Sequence, residues 1–388
     1  MFRILHLGKY FPPFAGGIEN FLADLMFAQV EQGDIVSAIV HDHQPQFSRF
    51  LAPVQAEMWH HQMVYRTPSY GRLLYAPVSP HFPFWFNRVL QIFQPQLLHL
   101  HLPNTSAFFA LWLTRAKQIP WVIHWHSDVV SELNQALSIA YKFYRPFEYQ
   151  LLANAHTIIA TSPPYLASST ALQPWREKCQ VIPLGIAQSR LPTSAPQAKH
   201  WAEQQWIKGK IRILTVGRLT YYKGHEVLIR AMAQVHDAQL FIVGSGEVRQ
   251  YLENLIVALN LSHKVRLLGY CKDAELTALF ATCDVFCLAS LERTEAFGVV
   301  FLEAMRYGKP IVATMIPGSG VSWVIKETGL LVPLQDSSAL AKILQQMIDN
   351  PKLRIRLGKA GRLRFEQVFD IKKVAEKMSS LYKQVFNS

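Results

Sequence analysis

The chain has 388 residues, half of them hydrophobic and 17% charged, with a formal net charge of +12. That length exceeds the roughly 250 residues one core usually serves, so two domains with sizeable cores are expected. Its four cysteines are too few for a disulfide scaffold, and no apolar run approaches the roughly 20 residues that cross a bilayer.

The N-terminal MFRILHLGKYFPPF has a short apolar run and no small-residue cleavage site. It reads as a strand rather than a signal peptide, which places the protein in the cytoplasm. Strands are predicted at 2–8, 35–41, 97–102, 121–126, 156–162 and 180–185, with helical stretches such as IENFLADLMFAQVEQG between most of them. Alternation of this kind implies a parallel sheet. The segment FPFWFNRVLQIF, 82–93, has an aromatic helical face that could meet either the core or a lipid surface. The pattern breaks at 186–210, which holds Pro192 and Pro196 and no strand period. Strands resume at 211–217, 240–244, 265–269, 285–290, 310–314 and 329–333, and 352–388 reads as two helices broken near Phe369 and Asp370. The expected domains are 1–190, 191–369 and a closing helix, 370–388, that returns to the first domain.

The basic excess is uneven. Residues 1–185 carry a net +2, so the remaining +10 lies in the second half, where it suits a phosphate, an anionic membrane or nucleic acid. Eleven of the fifteen histidines lie in the first half. His99 and His101 share one face of a strand, and His124 and His126 share one face of the next. No carboxylate accompanies them at ligand spacing, so core packing is expected over a metal. Cys283 and Cys287 read as buried thiols, because no second ligand pair sits nearby.

The sharpest motif is EAFGVVFLE, Glu295 to Glu303. On one continuous helix these carboxylates would sit about 80° apart. A strand ends near Ser290, however, and Gly298 opens a helix, which puts Glu295 on a loop and Glu303 inside the helix. Amides at such a helix start can hold a diphosphate, the loop acid can meet sugar hydroxyls, and the helix acid can accept from both ribose hydroxyls. A capping acid with a surface acid is the plain alternative. Arg218 and Lys223, in GRLTYYKG, follow the first strand of the second half. Ligands bind beyond such strand ends, and two cations there can neutralise a leaving diphosphate without a metal. Two solvated loop charges are the alternative. Gly244-Ser245-Gly246 is a tight turn after a strand.

The run from Gly217 to Pro333 resembles the retaining glycosyltransferases of family 4 (glycosyltransferase group 1). The resemblance rests on GRLTYYKG, FIVGSGE, RLLGYCKDAELTALFATCDVF, EAFGVVFLEAMRYGKPIVAT and ETGLLVPLQD, in that order. It implies an α/β GT-B fold: two Rossmann-like, doubly wound domains facing across a cleft, the N-terminal one for the acceptor and the C-terminal one for the nucleotide sugar. It implies that Arg218 and Lys223 bind the diphosphate together with Gly244 and the backbone of Ala296, Phe297, Gly298 and Val299. Tyr270 and Cys271 would edge the base, Glu303 would hold the ribose and Glu295 the sugar. In PPFAGGIENF, Gly16 and Gly17 would let the backbone approach the donor or acceptor. His126 would face the donor sugar, Asp128 could orient it, and His101 with Asn104 would line an acceptor-side patch. The segment VIPLGIA departs from the pattern, with Leu184 for Asn and Ala187 for Asp, at a place that concerns the hinge or the acceptor.

The resemblance further implies transfer of a hexose-type sugar from a UDP-, GDP- or ADP-type donor to a hydroxyl of a glycan or lipid-linked acceptor. Surface polysaccharide or lipopolysaccharide assembly is the implied setting, with no cofactor and no metal, in the cytoplasm or peripheral on the inner membrane face. A nicotinamide oxidoreductase would need G-x-G-x-x-G after the first strand, where the chain has Gly8-Lys9-Tyr10. A nucleic-acid-binding protein would need a continuous basic track, which the near-neutral first half lacks.

Overall fold

The computed structural model describes residues 1–14, 16–44, 54–73, 76–129, 135–190 and 194–387. Pro192 of the proline-bearing segment lies outside the described residues. The chain divides into two compact units: residues 1–185 with 371–388, and residues 186–370.

The first unit is built on an eight-stranded sheet. Its strands are β1 (Arg3–Leu7), β2 (Ile35–His41), β3 (Gln55–Trp59), β4 (Gln62–Thr67), β7 (Leu97–Leu102), β8 (Trp121–Trp125), β9 (Thr157–Ala160) and β10 (Cys179–Val181), and a separate two-stranded ribbon pairs β5 (Arg72–Leu73) with β6 (Ala76–Pro77). The order is β10-β9-β8-β7-β1-β2-β4-β3, parallel except for the β3–β4 hairpin. β1, β7 and β8 are apolar along most of their length because both faces are covered, as parallel sheets require. The first helix, Gly17–Glu31, packs against the last, Ile371–Asn387, so the chain ends on the unit where it began.

The second unit is a six-stranded, all-parallel sheet. It comprises β11 (Ile211–Val216), β12 (Ala238–Val243), β13 (Val265–Gly269), β14 (Val285–Leu288), β15 (Ile311–Thr314) and β16 (Gly329–Val332), in the order β13-β12-β11-β14-β15-β16. That is the doubly wound 3-2-1-4-5-6 order, whose direction reverses between β11 and β14. The core beside it joins Ile213, Leu228, Leu240, Ile242 and Val285 to Leu340 and Leu344. Both units are Rossmann-like α/β layers, the composition of a GT-B protein.

The aromatic-rich segment forms a helix, Phe82–Phe93, that buries Phe82, Phe86, Val89, Leu90 and Phe93 and leaves Phe84 and Ile92 exposed. Its hydrophobic face therefore belongs to the core. No helix among the described residues is long and apolar enough to cross a membrane.

Candidate active site

In a doubly wound sheet the crevice opens where strand order reverses, at the carboxyl ends of the two strands involved. In the second unit those strands are β11 and β14, and the motif residues leave from these two ends. After β11 the chain turns through Gly217 and Arg218 into a short 3-10 turn, Tyr221–Lys223. Gly224 closes that turn at φ +64°, and a Cβ there would lie 1.8 Å from the Ala289 carbonyl oxygen at the end of β14. A glycine is required because the two loops press together, and Leu291 N–H donates to the Tyr222 carbonyl across the contact at 2.8 Å. Gly244 is required in the same way, since its Cβ would lie 1.9 Å from the Gly217 carbonyl oxygen.

After β14 comes the loop that bears Glu295, and Gly298, left-handed at φ +80°, caps the helix Val299–Arg306. Glu295 is therefore on the loop and Glu303 on the helix. The Glu295 carboxylate is buried, and Lys223 Nζ donates to its Oε2 at 2.5 Å. Ser290 Oγ donates to the same oxygen at 3.1 Å, and Ser319 Oγ donates to the Glu295 backbone carbonyl at 2.5 Å. Burial alone would lower the pKa of the Lys223 ammonium, but the Glu295 and Tyr222 charges and the hydrogen bond to Glu295 hold it above its ordinary value. The two motifs thus meet in one buried ion pair. Arg218 is exposed nearby, and its backbone carbonyl accepts from His225 Nε2 at 3.2 Å.

Glu303 faces Arg190, with Arg190 Nη2 and Glu303 Oε1 3.5 Å apart. Sequence reasoning missed Arg190, Ser290 and Ser319. Arg190 sits in the irregular 188–190 turn more than a hundred residues before its partner, with no motif around it. Cys271 is buried and Tyr270 is 71% exposed at the end of β13. Ala296 and Phe297 are buried, with Phe297 packed on Trp323 and Phe369. Those two side chains serve the core, and the Ala296 carbonyl accepts from Gly320 N–H at 2.8 Å. A shallow concavity of about 450 Å³ lined by Gly308, Gly358, Lys359 and Arg362 lies elsewhere on this unit and includes none of these residues.

In the first unit, strand order reverses between β1 and β7. The loop after β1 reaches Gly16 and Gly17 at the start of the first helix, where the Glu19 carboxylate folds back over Gly16. His126 follows β8 and is buried, and its backbone N–H donates to the Leu102 carbonyl at 3.0 Å. Burial lowers its pKa to about 3.

Two expectations need correction here. Asp128 does not orient His126: its Oδ1 accepts from Trp125 Nε1 at 2.8 Å and from Ser169 Oγ at 2.6 Å, which makes it a local clamp. The His126 ring is instead bonded to His101, Nε2 to Nδ1, at 2.9 Å. His101 in turn has both ring nitrogens bonded to other histidines, so it stands in the core and not on an acceptor surface. Asn104 caps the following 3-10 turn, its Oδ1 accepting from Ser106 N–H at 3.1 Å.

Two histidine triplets, His6–His99–His101 and His101–His124–His126, bring ring nitrogens within 4.8 Å of one another and so could hold a metal ion. A ligated ion lies in the plane of each imidazole. His124 and His126 are stacked 3° from parallel at 4.3 Å, and both lie within 15° of His101, so their planes do not converge on one point. This second triplet fits neutral stacked rings better than a chelate, and in the first His6 is tilted 34° to His99 and to His101. The thiol of Cys283 is pushed up to about 11 by burial, and Cys287 is buried beside it in β14, as expected of core thiols.

Comparison with known proteins agrees with this two-unit fold. Residues 197–364 match the family model described as glycosyl transferases group 1, and residues 16–185 match the glycosyl transferase 4-like domain, one in each unit. The chain is 28% identical over 389 residues to the O-antigen chain mannosyltransferase C of Escherichia coli, covering 100% of this chain and 99% of that one. It is 32% identical over 279 residues to a D-rhamnosyltransferase of Pseudomonas aeruginosa, covering 71% and 70% of the two chains. Among solved structures, the sucrose-phosphate synthase of Thermosynechococcus elongatus superposes with a TM-score of 0.81 at 27% identity, over 99% of each chain.

Proposed function

The chain belongs to the glycosyl transferases group 1 family and is a glycosyltransferase of GT-B fold, and on that premise we propose that it is a retaining enzyme of family 4. It moves a hexose-type sugar from a nucleoside-diphosphate donor to a hydroxyl of a glycan or lipid-linked acceptor. The observation that carries this reading is the Lys223–Glu295 pair at the reversal between β11 and β14, beside the start of the helix Val299–Arg306.

In this reading the donor diphosphate lies against the amides that begin that helix, where unpaired N–H groups and the helix dipole favour an anion. Lys223 and Arg218 supply the remaining positive charge that a metal would otherwise provide. Glu303 accepts from the ribose hydroxyls with Arg190 behind it, and Glu295 bonds the hydroxyls of the transferred sugar. Within the first unit, His126 is the candidate contact with substrate. The bond from the anomeric carbon to the phosphate oxygen breaks, and the acceptor oxygen bonds the same face of that carbon. The acceptor proton passes to the leaving phosphate.

The names of the mannosyl- and D-rhamnosyltransferase relatives favour a mannose-type sugar and a place in surface polysaccharide assembly, at the cytoplasmic side of the membrane. Peripheral contact with a lipid-linked acceptor has support on the helix Gln135–Asn154. Ile139, Phe143 and Phe147 form an exposed stripe there at four-residue spacing, beside Trp112, Lys142 and Arg145. Thermal stabilisation by a panel of UDP-, GDP- and ADP-sugars in the presence of EDTA tests the donor half of this proposal, and product anomer analysis tests retention.

A further inference from the structure

Five imidazoles stand on one face of the first unit's sheet. They are His6 on β1, His99 and His101 on β7, His124 on β8 and His126 just beyond it, all 3% exposed or less. Phe21 and Gln29 of the first helix and Tyr382 of the last cover them. A single chain of hydrogen bonds links four of the five. His126 Nε2 meets His101 Nδ1 at 2.9 Å, His101 Nε2 meets His6 Nδ1 at 3.0 Å, and His6 Nε2 meets Gln29 Oε1 at 2.8 Å. Gln29 Nε2 donates to the Tyr382 hydroxyl at 3.0 Å, and that hydroxyl lies 2.7 Å from His99 Nδ1.

Burial keeps these rings neutral. A neutral imidazole has one N–H and one lone pair, so a ring that donates through one nitrogen must accept through the other. Gln29 Oε1 can only accept, and His6 therefore carries its proton on Nε2. His6 Nδ1 is then an acceptor, so His101 donates from Nε2, and by the same step His126 donates from Nε2. This leaves His126 Nδ1 as a lone pair, buried and without a hydrogen-bond partner. At the other end Tyr382 donates to His99 Nδ1, and the spare N–H sits on His99 Nε2, which also has no partner. Turning over the Gln29 amide would reverse every bond and move the spare proton to His126 Nδ1. One amide, three hydrogen bonds away, decides which chemical face His126 presents.

We propose that Gln29 is a positioning residue that holds His126 as the Nε2–H tautomer, with Nδ1 presented as an acceptor to a substrate hydroxyl. Tyr382 brings the last helix into the relay, its hydroxyl accepting from Gln29 Nε2 and donating to His99 Nδ1. The functional half of this inference rests on the reading of His126 as a substrate contact, whereas the tautomer half does not. The nitrogen that carries the proton is set by the bond the other nitrogen makes.

Nitrogen-15 NMR of the full chain labelled at histidine reads the tautomers directly, with His126 assigned by comparison with His126→Asn. In the wild-type protein His6, His101 and His126 should all carry the proton on Nε2, with couplings between nitrogens across both N–H···N bonds. A mixture of tautomers among the three, or absent couplings, overturns the relay without need of a variant. Gln29→Leu should mix the His126 tautomers and lower kcat about tenfold or more with KM for the donor within about twofold. Met26→Ala, a buried change on the same helix, should lower stability and leave the tautomer unchanged. A pure Nε2–H His126 in Gln29→Leu also overturns the proposal. Mixed tautomers with unchanged kcat would uphold the relay and remove His126 from the substrate.

Discussion

The Lys223–Glu295 pair is where two distant motifs become one device, and it makes their effects interdependent. Lys223→Ala should raise the barrier by about 3 kcal/mol, the scale of a lost oxyanion donor, while added EDTA leaves the rate unchanged. Activity within about twofold of wild type would count against the diphosphate role. Because the pair is buried, each single change also strands a partner, and removing one side of such a pair costs about 3–5 kcal/mol of stability. The double variant Lys223→Ala/Glu295→Gln should therefore be less destabilised in urea titrations than the two singles summed, and additive losses would show that the pair is not coupled. His124 offers a contrast: both its ring nitrogens are buried and unpartnered, and its ring only stacks. His124→Leu should hold or raise stability by about 1 kcal/mol, since an unsatisfied buried polar group is removed. His101→Leu should lower it by leaving His6 and His126 nitrogens unpaired. At this scale the sequence disclosed what lies in contiguous motifs. Glu295 and Glu303 were separable because Gly298 marks the break between loop and helix. Gln29 and Tyr382 were not legible as partners, because 353 residues separate them and each looks like an ordinary polar position on a helix.

Among elements, the strands with continuous apolar runs were readable almost to the residue, as in 97–102 and 265–269. The β3–β4 hairpin was not. β3, QAEMW, is largely exposed and polar at the sheet edge, and its turn is His60-His61, both at positive φ, where Asn-Gly would have announced a hairpin. The helix Phe82–Phe93 was left between core and lipid by its sequence, and its buried Phe86 settles the core role. Phe86→Ser should cost about 3–5 kcal/mol, the range for emptying a buried aromatic site, without changing liposome flotation. The exposed stripe on Gln135–Asn154 should behave differently. Phe143→Ser should reduce flotation on vesicles containing anionic lipid and leave the melting temperature nearly unchanged. Equal flotation of wild type and Phe143→Ser would remove the membrane contact.

For the molecule as a whole, burial of neutral histidines predicts a particular acid response. His6 is lowered to about 4, His41 and His126 to about 3, and His99, His101 and His124 are lowered too, all through desolvation first. Their pKa in the unfolded chain is near the ordinary 6.5, so as pH falls below that value the unfolded state takes up protons that the native state refuses. Stability is therefore unaffected by these groups above about pH 7 and falls as pH drops from about 6.5 toward 4, by about 1.4 kcal/mol per pH unit for each histidine. Urea unfolding followed between pH 8 and pH 5 should show that slope in the first unit, and a flat profile would mean that the rings titrate as they do in the unfolded chain. Metal-independent donor binding at the β11–β14 reversal should be visible in thermal unfolding with nucleotide sugars in EDTA. One nucleoside-diphosphate sugar series should stabilise the protein by about 2.7 kcal/mol at a hundred times its Kd, with the effect lost in Lys223→Ala. No stabilisation by any member of the UDP-, GDP- and ADP-sugar panel, or undiminished stabilisation of Lys223→Ala, would contradict it.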